Sequence, residues 1–187
     1  MRLLPPGRSL ARRLVPFLLI FIAMNAASAQ PVLDFADPAT AQRFRVINDG
    51  VMGGVSTSRL VRTDDALRFE GEVSLENSGG FASFRGPAQL PGGATALLLT
   101  VRGDGQRYKL TLKLDDSNAT AQYQASFVAP RDWTTIRFAT GDFSASFRGR
   151  QVSAPPLALG EVRAIGVLIS DRQAGPFQIE LREVRTE

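Results

Sequence analysis

Leu67-Arg68-Phe69-Glu70-Gly71-Glu72-Val73-Ser74-Leu75 is the stretch that decides the fold. Apolar residues or glycine take every second position and charged or polar residues fill the places between. That is the period of a strand with one face in a core and the other in water. Tyr108, Leu110, Leu112 and Leu114 alternate in the same way with Lys109, Thr111 and Lys113. Outward from these two, further strands are predicted over residues 45–47, 57–61, 81–85, 96–102, 121–127, 134–138, 163–170 and 177–184, about ten in all with hardly a helix. Residues 96–101 and 162–169 are almost continuously apolar, which predicts central strands covered on both faces. Short strands with two such centres predict an all-β fold, a two-sheet β-sandwich or jelly roll.

Four glycine-bearing segments punctuate the strands: Asn48-Asp49-Gly50-Val51-Met52-Gly53-Gly54-Val55-Ser56, Ser78-Gly79-Gly80-Phe81-Ala82-Ser83, Arg102-Gly103-Asp104-Gly105-Gln106-Arg107-Tyr108, and Asp171-Arg172-Gln173-Ala174-Gly175-Pro176-Phe177. Glycine serves where a backbone takes positive φ or lies against another group, so these read as turns of fixed shape. Gly103-Asp104-Gly105 reads as a hairpin turn joining the strand that begins at Ala96 to the one that begins at Tyr108. Pro91-Gly92-Gly93, Asp115-Asp116-Ser117-Asn118 and Pro130-Arg131-Asp132 mark further turns. Residues 139–160 carry Phe143, Phe147, Pro155 and Pro156 and read as a packed crossover, since flexible linkers seldom hold aromatics.

Residues 1–29 read as a signal peptide. Arg2, Arg8, Arg12 and Arg13 form a basic region, an apolar run follows, and Ala27-Ser28-Ala29 supplies a cleavage signal. The expected location is therefore a bacterial periplasm or the cell exterior, with an uncleaved membrane anchor as the alternative. Residues 30–187 are expected to form a single domain, large enough to bury roughly 68–70% of its unfolded surface without disulfides. The formal charge of +4 resides wholly in the leader. The remainder is balanced, which gives no reason to expect nucleic acid as a partner.

The chain contains neither histidine nor cysteine. Ser-His-Asp and Cys-His nucleophiles cannot be assembled, and zinc loses its usual ligands. A non-enzymatic role is expected. The remaining catalytic option is a carboxylate-pair glycosidase drawing on Asp49, Glu72, Glu76, Asp104 or Asp171, each of which is ordinarily a solvated turn or strand carboxylate. The Asp49 segment lacks the Gly-Lys-Ser/Thr ending of a nucleotide loop, and Asp115-Asp116 lacks calcium-loop spacing, so no cofactor or metal is expected. Trp133 is expected in the core between the sheets, with an exposed sugar-stacking platform as the alternative. Tyr108 and Tyr123 are amphipathic binding candidates, though half-buried strand tyrosines are common. Arg148, Arg150 and Arg172 lie beside glycine or in a tight loop, suited either to bidentate recognition of a partner or to surface ion pairs.

In order along the chain, Asp49-Gly50-Val51-Met52-Gly53-Gly54-Val55-Ser56, Phe69-Glu70-Gly71, Gly79-Gly80-Phe81-Ala82-Ser83, Arg102-Gly103-Asp104-Gly105 with Tyr108, Tyr123-Gln124-Ala125-Ser126-Phe127, Trp133, Phe143 with Phe147-Arg148-Gly149-Arg150, Ile165-Gly166 and Asp171 to Phe177 resemble the complex I intermediate-associated protein 30 family. The likeness spans roughly residues 33–185. It implies a galactose-binding-like jelly roll without known catalysis, whose mitochondrial members are chaperone-like assembly factors of the respiratory NADH:ubiquinone oxidoreductase. The partner so implied is a protein, a membrane-complex subunit in particular. The secretory leader is the departure from that pattern. A carbohydrate-binding module is the second reading, because the implied fold commonly presents glycans to loops or to a concave sheet face. The contacts to a partner are expected from Asp49, Asp104, Tyr108, Tyr123, Arg148, Arg150, Asp171 and Arg172, held by loops shaped at Gly50, Gly53, Gly54, Gly79, Gly80, Gly103, Gly105 and Gly175.

A β-branched side chain at positive φ is strained by roughly 1–3 kcal/mol. Gly53→Val and Gly80→Val are therefore expected to lower the melting temperature more than Arg150→Ala, and equal melting temperatures for the three variants would contradict the turn reading.

Overall fold

The computed structural model describes residues 31–115, 117 and 120–187. The signal-peptide assignment, and Asp116 and Asn118 of the polar turn, lie outside the described residues. Thirteen strands are present among them: β1 (Leu33–Asp34), β2 (Arg45–Asn48), β3 (Thr57–Arg62), β4 (Leu67–Val73), β5 (Ala82–Pro87), β6 (Ala96–Gly103), β7 (Arg107–Lys113), β8 (Gln122–Val128), β9 (Thr134–Ala139), β10 (Ser144–Phe147), β11 (Arg150–Gln151), β12 (Ala164–Ile169) and β13 (Gly175–Thr186). A single turn of helix, α1 (Pro38–Ala41), follows β1, and Asp37 caps it by accepting from the Ala39 and Thr40 amides.

The strands form two antiparallel sheets. Sheet A has the order β3-β4-β13-β6-β9, with β1 also paired to β13, and sheet B the order β11-β10-β8-β7-β12-β5-β2. Ten of the thirteen strands are those expected from sequence. Of the other three, β1, β10 and β11, the last two form a hairpin inside the 139–160 segment that widens sheet B.

Alternation places Leu67, Phe69 and Val73 of β4 in the core, at 2%, 0% and 1% exposure, and turns Arg68, Glu70 and Glu72 outward. One continuous core fills the space between the sheets. Two aromatic contacts bridge it: Phe69 of sheet A meets Phe84 of sheet B edge-on at 4.9 Å, and Phe138 of sheet A meets Phe127 of sheet B at 5.6 Å. Phe177 packs on Phe69 at 4.9 Å, and Phe44 and Phe35 extend the row beyond Phe84.

Two expectations about connectivity are corrected. Gly103-Asp104-Gly105 does not close a hairpin, because β6 belongs to sheet A and β7 to sheet B. The turn is a crossover between layers, held by the Asp104 carboxylate, which accepts from the Gln106 amide (2.9 Å), Tyr108 Oη (2.9 Å) and the Gln178 amide of β13 (2.8 Å). A local Asp-Gly signal reports a tight turn and says nothing of which layer the chain enters next. The second correction concerns β6, which stands next to the edge strand β9; the centre of sheet A is β13. Arg102 on its outer face is exposed, and Leu98 and Thr100 are half-buried. The other continuously apolar run, β12, is like β6 interior to its sheet, but its outward Leu168 is half-buried and lines a groove, so neither run is covered on both faces.

The outer face of sheet A is an ionic ladder. Glu180 is buried at 2% exposure and accepts from Arg68 Nε at 2.7 Å and Arg102 Nε at 2.6 Å, while Glu70 accepts from Arg59 Nε at 2.8 Å. Burial pushes the Glu180 carboxyl up, but the two guanidinium partners outweigh this and hold it below the ordinary value.

Phe69→Ala deletes a ring in contact with both Phe84 and Phe177. It is expected to cost about 3–5 kcal/mol, measured by denaturant unfolding.

Candidate ligand-binding groove

The outer face of sheet B is built largely of polar side chains. Cross-strand register sets its side chains in rows: Ser144, Gln124, Thr111, Gly166, Arg85 and Arg45 lie along one, and Ser126, Lys109, Leu168, Ser83 and Ile47 along the next. A groove of about 460 Å³ runs over these rows. Gln122, Gln124, Thr111, Ser83 and Ser146 contribute amides and hydroxyls to its floor, and Phe81 and Phe147 stand at opposite sides.

Two lysines are fixed in the groove by their partners. Lys109 Nζ donates to Asp171 Oδ1 at 2.6 Å, a bond that holds the Asp171 carboxyl below its ordinary value against the opposing effect of burial. Lys113, with its side chain 3% exposed, donates to Thr120 Oγ1 at 2.8 Å and Thr120 O at 3.2 Å, with Asp115 at 3.8 Å. Burial pulls the Lys113 ammonium down, Asp115 opposes this and the charge of Arg85 adds to it.

Of the residues singled out from sequence, Asp171 and Arg148 line the groove together with Gly79 and Gly80. Arg148 and Gly149 both have positive φ, at 48° and 77°, which makes the β10–β11 connection a two-residue hairpin turn. The turn sets the Arg148 guanidinium 5.2 Å from the Phe147 ring. Arg172 is exposed beside Asp171 in a left-handed conformation, and Arg150 is exposed on the edge strand β11; neither lines the groove.

Four contact candidates are corrected. Tyr108 is 0% exposed with its hydroxyl on Asp104, and Tyr123 is 6% exposed with its hydroxyl donating to Pro155 O at 2.7 Å. Both point inward, because apolar alternation counts a tyrosine ring as core, and neither offers a face to a ligand. Asp104 is committed to the layer crossover. Asp49 is completely buried: its Oδ1 accepts from the Ser56 amide (3.0 Å), and its Oδ2 from Ser56 Oγ (2.5 Å), the Gly80 amide (2.7 Å) and the Phe81 amide (3.3 Å).

The glycines around Asp49 explain themselves by contact. A Cβ at Gly54 would lie 2.3 Å from the Asp49 carboxyl carbon and one at Gly79 2.6 Å from its Oδ2, while Gly53 and Gly80 have φ of +91° and +130°. Gly105 (+88°) and Gly175 (+105°) also have positive φ, whereas Gly50 has open space around it and Gly103 abuts Ala129 and Gln178.

Trp133 is also corrected. It is half-buried on the outer face of sheet A, with the Arg102 guanidinium 4.8 Å and the Arg182 guanidinium 4.0 Å from its ring centroid. Residue 133 precedes β9 by one position and is brought level with Arg102, on the outward side of the alternation. Asp171 is the one carboxylate among the described residues that line the groove, so they form no carboxylate pair there. Among the described residues no cluster of three metal-ligating side chains exists.

Sequence reading missed Arg85, Lys109, Thr111, Lys113, Gln122 and Gln124. The signal was present as the polar half of each alternation, on strands that turned out to be interior to the sheet.

The fold is a two-sheet antiparallel β-sandwich, an architecture shared by solved carbohydrate-binding modules. The family 11 carbohydrate-binding module of the cellulosomal cellulase Lic26A-Cel5E of Clostridium thermocellum superposes with a TM-score of 0.58 at 13% identity, covering 84% of this chain and 96% of that one. A family 11 module from Clostridium thermocellum in complex with a β-1,3-1,4-mixed-linked tetrasaccharide gives 0.53 at 14% identity, over 77% of this chain and 88% of that one. The agarase AgWH50C gives 0.54 at 10% identity, with 85% of this chain covering 24% of that one. At such identities the likeness is one of fold. A comparison with curated proteins gave no match. The chain belongs to the Complex I intermediate-associated protein 30 (CIA30) family, whose model matches residues 33–181.

Asp49→Asn keeps the size of the side chain and removes its charge, leaving buried amide donors poorly matched. The expected loss is about 2–3 kcal/mol at neutral pH. Burial pushes the Asp49 carboxyl up, but the bonds from Ser56, Gly80 and Phe81 prevail and leave it below the ordinary 3.8. Its contribution is thus fully present above about pH 4 and is lost as pH falls through the lower folded-state value. Melting curves of the two proteins should therefore converge on acidification.

Proposed function

We propose that this CIA30-family domain is a non-catalytic, exported binding module that seats an extended saccharide chain in the groove of sheet B. The observation that carries the reading is the groove floor. Gln122, Gln124, Thr111, Ser83 and Ser146 offer both donors and acceptors, as ring hydroxyls require, and Phe81 and Phe147 offer apolar faces to sugar rings. Phe147 ends β10 and Phe81 immediately precedes β5, four strand spacings away, roughly 19 Å across the sheet, a span suited to several linked sugars. The fold likeness to carbohydrate-binding modules, one of them in complex with a tetrasaccharide, supports the same reading. Export follows from the leader pattern of residues 1–29.

Family membership favours a second reading, a chaperone-like domain that attends a membrane-complex subunit. On that reading the exposed Arg150 and Arg172, which stand outside the groove, carry the contact.

Calorimetric titration with mixed-linkage glucan and agaro-oligosaccharides separates the two. Saccharide binding is expected, weakened roughly tenfold by Gln124→Ala or Phe147→Ala with the melting temperature little changed. Failure to bind any polysaccharide, together with capture of an envelope protein that is lost in an Arg150→Ala, Arg172→Ala variant, would replace the first reading with the second.

A further inference from the structure

The end of the groove at which β12 stops is built differently from the amide-lined floor. Register sets Lys109 of β7 and Ser83 of β5 on either side of Leu168, and pairs Ala82 with Ile169, so Phe81 follows at the level of Ser170 and Asp171. All six side chains line the groove: two apolar surfaces, two hydroxyls and one ion pair, Lys109 with Asp171.

The loop that carries Asp171 is clamped to β7 by the side chain of Gln173. Its Oε1 accepts from the Arg107 amide at 3.0 Å, and its Nε2 donates to Arg107 O at 2.7 Å and to Ser170 O at 2.9 Å. Asp171 and Arg172 take left-handed backbone within this clamp, with φ of 63° and 60°. The carboxylate is thereby set against Lys109 in the unliganded protein, so the cost of ordering it falls on folding and not on binding.

The pair keeps hydrogen-bonding capacity of both kinds. Asp171 Oδ1 accepts from Lys109 Nζ at 2.6 Å and from Ser170 Oγ at 3.2 Å, while Oδ2 has no partner among the described residues. Lys109 has three N–H groups and donates one of them to Asp171. The Asp171 side chain is 49% exposed and that of Lys109 19%, so both can be reached. One sugar hydroxyl can donate to Oδ2 while the oxygen of the hydroxyl beside it accepts from Nζ, and both bonds are charge-assisted. A lone hydroxyl satisfies only half of this arrangement. A sugar carboxylate would bring like charge to the free oxygen of Asp171 and is disfavoured.

We propose that the Lys109–Asp171 pair is the specificity-determining element of the groove and reads two adjacent free hydroxyls of a neutral sugar. The proposal rests on the groove being a saccharide site and names what that site distinguishes. The chain it selects leaves such a pair free on its internal sugars. A 4-linked glucose does so, with hydroxyls at positions 2 and 3, whereas a 3-linkage removes the hydroxyl common to both adjacent pairs of the ring. Phe81 and Leu168 supply apolar surface for the C–H face of the same sugar.

The test is calorimetric titration with soluble mixed-linkage glucan, whose 4-linked sugars carry the pair, and with a linear β-1,3-linked glucan, whose internal sugars do not, alongside Asp171→Asn and Lys109→Met. The unaltered protein is expected to bind the mixed-linkage chain at least roughly tenfold more tightly. In each variant the mixed-linkage chain is expected to lose that advantage, bringing the ratio of affinities close to one. Should a variant fail to fold, the ratio in the unaltered protein still decides. Equal affinity of the unaltered protein for the two glucans overturns the hydroxyl-pair reading and leaves the saccharide groove standing. A fall in affinity for both glucans alike, with the ratio kept, overturns it too and makes the ion pair a positioning device for the loop. Binding of neither glucan overturns it, and if no agaro-oligosaccharide binds either, the saccharide groove falls with it.

Discussion

A buried carboxylate with no counter-cation among the described residues is the constraint on which the loop architecture depends. Asp49 receives hydrogen bonds from Ser56 in its own loop and from Gly80 and Phe81 in another, more than thirty residues away in sequence. An ionised group with no water around it is tolerable only if its lone pairs are filled, so both loops must close on it together. That closure explains why Gly54 and Gly79 lack side chains, since a Cβ at either would occupy space held by the carboxyl. It also fixes Gly80 and Phe81, where the second loop runs into β5 and becomes a border of the groove. A residue that touches no ligand thus determines the position of one that lines the site.

The two sheets resolve the problem of an outward polar face in opposite ways. Sheet A neutralises itself: Glu180 between Arg68 and Arg102, and Glu70 against Arg59, form a ladder in which each buried charge has its complement. Sheet B carries amides and hydroxyls among its cations, with Lys109 paired to Asp171 and Lys113 held by Thr120 and Asp115. The outer face of sheet A is dominated by matched charges, whereas that of sheet B mixes neutral amides and hydroxyls with its ion pairs. That difference in composition is the ground for proposing sheet B as the binding face.

Much of the fold was legible because period-2 alternation is a local property, and each long strand carries it within its own few residues. What was not legible is where the strands go. Asp104 looked like a hairpin residue because Asp-Gly signals a tight turn, while the bond that matters, to the Gln178 amide, spans 74 residues of sequence. Tyr108, Tyr123 and Asp49 drew attention as chemistry-bearing residue types, yet each spends its polar atoms inside the protein. Lys109, Thr111 and Lys113 were read as the wet half of a strand. Their place in the groove arises from the neighbours β12 and β8, which only the topology supplies. Asp171 and Arg148 were found because left-handed turns leave a trace in sequence, in the company of glycine.

The placement of Trp133 has an optical consequence. It is the sole tryptophan of the chain, and it lies on the outer face of sheet A between two guanidinium groups, with the whole core separating it from the groove. Its emission therefore reports the integrity of the arginine ladder around it and is blind to occupancy of the opposite face. The protein carries a built-in fluorophore for unfolding that is uncoupled from ligation, so a ligand that alters its spectrum at constant temperature has bound to sheet A.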